Sequence, residues 1–118
     1  MTKIRIMYWK EIPVQVQASD ETQTMSSMLD DKFQQAADAI SMMDGSVDTD
    51  SYLDGWQWGE YENTSYAIEV ALKMKVACYN EKMPKDFVSR IRDSHNNGTR
   101  IPNPGAIDYW IQGDQVLE

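Results

Sequence analysis

The chain has 118 residues, within the usual size of one domain and long enough to bury a core without disulfides or a structural metal. It is 42% hydrophobic and 25% charged, with a mean hydropathy of -0.59 and 19 acidic against 11 basic residues, a net charge of -8. That balance argues against disorder along the whole chain, repels nucleic acid and disfavours anionic membranes.

The amino terminus, MTKIRIMYWKE, lacks the continuous apolar run of a signal peptide, and no stretch is long enough to span a bilayer. A cytoplasmic protein is expected. Ile4, Ile6 and Tyr8 alternate with Arg5, Met7 and Trp9, and Val14, Val16 and Ala18 alternate with Gln15, Gln17 and Ser19, the period of half-buried strands. Residues 10–13 read as the hairpin turn between them, with Pro13 restricted to a strand start or an edge position because it cannot donate to a ladder. The polar stretch 20–28 reads as a loop with a short extended piece, or as a weak third strand over 24–28.

Asp30 is a candidate cap for a helix that carries Phe33, Ala36, Ala37, Ile40 and Met43 on one face and stops at Gly45. A short helix follows, capped by Ser46 or Asp48, with Tyr52, Leu53 and Trp56 facing inward. A third helix is expected from 63–65 to about Met83. It carries two apolar stripes, Ala67, Val70, Ala71, Met74, Ala77 and Cys78, and Ile68, Leu72, Val76 and Tyr79. Such a helix needs cover on both sides, so it is central or makes an oligomer contact. Pro84 suits the first turn of a fourth helix through Phe87, Val88 and Ile91, ended by Asn96-Asn97-Gly98. After two prolines, Ile107, Tyr109 and Ile111 alternate with Asp108, Trp110 and Gln112, which predicts a late strand.

These elements describe an α+β domain over 1–95, an N-terminal β-hairpin with or without a third strand packed against three or four helices. Residues 96–118 form a partly extended C-terminal extension. No internal repeat is present.

Chemistry is sparse. His95 is the only histidine and Cys78 the only cysteine, which excludes a multi-histidine or Cys-x-x-Cys metal site and any intrachain disulfide. Cys78 reads as a small buried apolar group. The acids Asp44, Asp48, Asp50 and Asp54 fit no calcium-loop register and suit a helix N-terminus instead. No phosphate loop or nucleophile elbow occurs. No cofactor, metal or catalytic residue is therefore assigned.

The aromatic residues are the one unusual concentration. Tyr8, Tyr52 and Trp56 are expected in the core, whereas Trp9 and Trp58 lie opposite the apolar positions of their segments. With Ile12, Pro13 and Tyr61 they make the candidate partner-binding surface near the hairpin turn, since Trp and Tyr supply interface anchors.

The stretches YWKEIPVQV at 8–16, LDDKFQQAADAISM at 29–42 and DTDSYLDGW at 48–56 resemble, in that order and spacing, the small bacterial virulence factor domain family. The resemblance covers about residues 1 to 83, while the acidic, Met-rich loop at 20–30 and the tail depart from it. It implies an accessory protein and carries no reaction, ligand or active site; its association with genes of folate-linked one-carbon enzymes adds only context. The expectation is a non-catalytic protein that binds another protein, with a homodimer among the partners considered. A small-ligand-binding protein or an enzyme subunit linked to one-carbon metabolism is the alternative.

Overall fold

The two alternating stretches pair as the sequence predicts, and the computed structural model describes residues 1–112 of the chain. Strands β1 (Thr2–Trp9) and β2 (Ile12–Ser19) form an antiparallel hairpin that sets Ile4 opposite Ala18 and Ile6 opposite Val16. Because the period is two, these residues share one buried face, and Arg5 opposite Gln17 and Met7 opposite Gln15 share the other. The register slips between Met7 and Tyr8, leaving Val14 as the extra residue and Pro13 opposite Tyr8. Pro13 is therefore tolerated at a bulge, although β2 lies inside the sheet.

The stretch favoured as a loop is strand β3 (Thr24–Met28), antiparallel to β2. After it come α1 (Asp31–Met43), α2 (Asp50–Asp54), β4 (Trp56–Trp58), β5 (Glu62–Thr64), α3 (Ile68–Lys82) and α4 (Phe87–Asn97). The sheet order is β3-β2-β1-β4, with β5 also pairing β1 further along its length. Strands β4 and β5 have three residues each, too short for a period to register in the sequence. Gly55 and Gly59 bracket β4, where an added Cβ would sit 2.8 Å from the Trp9 indole nitrogen and 2.7 Å from Tyr8 Cε1. Only glycine lets the chain lie this close to the end of β1.

The core lies between the inner sheet face and the helices. Phe33, Ala36, Ala37 and Ile40 of α1 join Ile68, Ala71, Leu72 and Tyr79 of α3 and Phe87 and Ile91 of α4. Phe33 packs on Phe87 with ring centroids 5.4 Å apart. Several expectations are corrected. Residues 62–64 are strand, so α3 starts later, and it buries one stripe while Val70 and Met74 of the other face water. Leu53 of α2 is exposed, because this five-residue helix lies across the hairpin end and turns only Tyr52 towards it. Helix α4 starts at Phe87, after the turn at Pro84; Gly98, at a φ of 77°, ends it.

The C-terminal segment packs on the same core, and residues 113–118 of the expected extension lie outside the described residues. Ile107 is buried, and Asp108–Gln112 forms a 3-10 turn where a strand was predicted. Strands β4 and β5 occupy the β1 edge of the hairpin, and β3 occupies the β2 edge. The Asp108 carboxylate is held instead from within the domain: Tyr8 and Tyr79 both donate their hydroxyls to its Oδ2, at 2.5 and 2.6 Å.

Candidate functional site

The two faces of the sheet have different fates. Helices α1 and α3 cover the inner one, while on the outer one Lys3, Arg5, Met7, Gln15 and Gln17 have no helix over them among the described residues. Pairing of Met7 with Trp58 places the Trp58 side chain on this outer face. The Arg5 guanidinium lies 4.0 Å from the Trp58 ring centroid and 4.8 Å from that of Tyr61, and its Nε donates to Gln17 Oε1 at 2.8 Å. Lys3 Nζ stands 5.7 Å from the Tyr61 ring. Each cation held over an aromatic face contributes roughly 0.5–1 kcal/mol at such exposure. The result is an ordered aromatic and cationic patch on a protein whose net charge is -8.

The hairpin turn is built differently. Trp9, Ile12 and Pro13, expected at the surface, are all buried. Trp9 sits where β4 and α2 close over the end of the sheet: it pairs with Trp56, stacks near Tyr52 at 5.6 Å, and donates its indole N–H to the Tyr52 carbonyl at 2.8 Å. Alternation alone could not show this, since Trp9 lies beyond the bulge and its cover comes from residues more than forty positions away.

Over the turn lies an ionic cluster. Arg100 grips Glu11 through two bonds, Nε to Oε2 at 2.7 Å and Nη2 to Oε1 at 2.8 Å, and reaches Asp44 Oδ2 with Nη1 at 3.0 Å. Lys10 Nζ donates to the same Asp44 oxygen at 2.9 Å. Burial alone would raise the Asp44 pKa, but hydrogen bonds from Ser46, Lys10 and Arg100 outweigh it and hold this carboxyl well below the usual range. Arg100 loses by burial and gains more from Glu11 and Asp44, so its pKa is raised. Two cations and two anions are mutually satisfied here, and the cluster is an architectural clamp with no free group to act on a substrate.

A second polar cluster surrounds Asp108, whose Oδ2 accepts from both tyrosines while its buried Oδ1 has no hydrogen-bond partner among the described residues. Tyr8 and Tyr79 have pKa values pushed above the ordinary tyrosine value, first by burial and then by the Asp108 carboxylate that accepts from both. Neither phenol is poised to lose its proton near neutrality.

A recess with an apolar lining and a polar rim lies between β5 and α3, a cavity of about 330 Å³ bounded by Ile4, Tyr66, Ala71, Met74 and Cys78. Lys75 and Glu62 pair at its mouth at 2.7 Å. Cys78, expected to be buried, is half-buried here. Among the described residues no group of three His, Cys, Asp or Glu side chains could hold a metal ion, and no helix is long and apolar enough to cross a membrane.

Of the five candidate residues, the fold brings Trp58 and Tyr61 together on the open face and takes Trp9, Ile12 and Pro13 into the core. Arg5 was missed. Its alternation within β1 placed it on the outer face, but nothing in the sequence tied it to aromatics more than fifty residues away.

The family model described as Virulence factor matches residues 7–91. No curated protein and no solved structure matches the chain. The matched span runs from β1 to the middle of α4 and includes Trp58 and Tyr61, whereas Arg100 and Asp108 fall after it.

Proposed function

We propose, from the premise that this chain belongs to the virulence factor family, that it is a non-catalytic accessory protein which binds another protein through the outer face of its sheet. The observation that carries this reading is the Arg5 guanidinium held over both Trp58 and Tyr61, at positions that no helix covers among the described residues. Tryptophan, tyrosine and arginine dominate the energetics of protein interfaces, and side chains already fixed by one another lose little freedom when a partner docks. Met7 and the half-exposed stems of Gln15 and Gln17 extend the contact area around them. The protein acts in the cytoplasm, where its single thiol stays reduced.

The test is affinity purification from the native cell, with the intact chain and the double variant Trp58→Ala, Tyr61→Ala compared by mass spectrometry. A partner retained by the intact chain and lost by a variant of unchanged thermal midpoint supports the assignment. Equal recovery by both moves the interface elsewhere. The cavity between β5 and α3 favours a second reading, a small-ligand protein, because its apolar lining ends in the Lys75 and Glu62 charges. A thermal midpoint that rises with a metabolite extract and fails to rise in Met74→Trp would select that reading.

A further inference from the structure

We propose that the free edge of β3 pairs antiparallel with β3 of a second copy, making one sheet that runs across a two-fold dimer. Strand β3 closes the sheet on one side, and among the described residues no other strand pairs with it. Edges of this kind are normally blunted by lysine, proline or a bulge, because unpaired N–H and C=O groups template further pairing. The β3 sequence, TMSSM, carries no charge and no proline, and its pairing with β2 is regular over all five residues.

Self-pairing must keep inner side chains on the inner face, so the dyad lies between the two strands level with a residue. At Ser26 it sets Thr24 opposite Met28 of the second copy and Met25 opposite Ser27, with every outer residue still outside. Helix α3 then decides whether the arrangement closes. It lies beneath β2 and β3 and runs in the same direction as β3: Thr2, at the level of the β3 start, donates to the Tyr66 carbonyl, and Asn80 accepts from the Asp30 backbone N–H at 2.9 Å. From Asp30 back to Ser26 is about 13 Å of strand, equivalent to about nine helical residues. The dyad therefore lies level with α3 between Ala71 and Lys73.

On the flank of α3 that faces β3 the row reads Glu69, Lys73, Val76, Asn80. Glu69 and Lys73 straddle the dyad level, are exposed, and join no ion pair within the described chain. A two-fold at this level brings Glu69 of each copy to Lys73 of the other. Pairing also brings Asp20 and Glu21 of one copy towards Asp30 and Asp31 of the other, a repulsion that salt screens.

The test is mass by light scattering and sedimentation of the full chain across protein concentration at physiological ionic strength. The expected result is a species of twice the 13.6 kDa chain mass that dissociates on dilution. Ser26→Lys should leave a folded monomer, its fold checked by thermal midpoint. Lys73→Glu should weaken the dimer by about tenfold or more, and Glu69→Lys with Lys73→Glu should restore it. A monomer at every concentration overturns the proposal and leaves the edge to an extended segment of another protein. A dimer indifferent to both Ser26→Lys and the Lys73→Glu reversal overturns it as well, since the copies would then meet through another surface.

Discussion

Arg100 meets Glu11 through two bonds of 2.7 and 2.8 Å at a site where Glu11 is 1% exposed, which ties the segment after α4 to the turn of the first hairpin. Removing one partner strands a buried charge. Arg100→Met should lower unfolding stability by about 3–5 kcal/mol, and the paired replacement Glu11→Met, Arg100→Met should cost much less. Urea denaturation of the two variants checks this, and equal losses would mean that the clamp does not hold the charges it encloses.

The clamp also fixes the acid limb of stability. Asp44 is depressed below its ordinary value of 3.8, so its contribution is present above that pH and is lost as pH falls through and below it. Tyr8 and Tyr79 set the alkaline limb. Their raised pKa values favour the neutral phenols, so the stability they contribute is present below the ordinary value of 10.0 and is lost as pH rises above it. Thermal midpoints measured across pH should be level between these limits and fall beyond both, and Tyr79→Phe should soften the alkaline decline.

Phe33 is fully buried on α1 against Phe87, and Phe33→Ala should cost about 3–5 kcal/mol in a denaturation midpoint. Gly59→Ala should also destabilise, because its Cβ would stand 2.7 Å from the Tyr8 ring. If Gly59→Ala left the midpoint unchanged, β4 would not lie against β1 as described.

The sequence made the hairpin, α1, α4 and the inner apolar face legible, because each repeats a period over enough residues for the pattern to register. It failed where burial came from afar. Trp9 was placed outside by its position in the alternation, yet α2 and β4 return to cover it. Residues 107–112 had the alternation of a strand, but two tyrosines from β1 and α3 capture Asp108 and turn the chain into a 3-10 helix. For the candidate site, β-strand parity put Trp58 on the outer face, while its meeting with Arg5 depended on the register of a three-residue strand.

The central claim is that partners dock on the outer face, with the hairpin turn held inside. Photo-crosslinking in the native cell tests it most directly, with a photoreactive phenylalanine analogue placed at Tyr61 on that face and, as a control, at Leu53, which is more exposed to water on α2. A discrete crosslinked band from position 61 and none from position 53 is the predicted result. A band from position 53 alone, or the same band from both, would contradict the account.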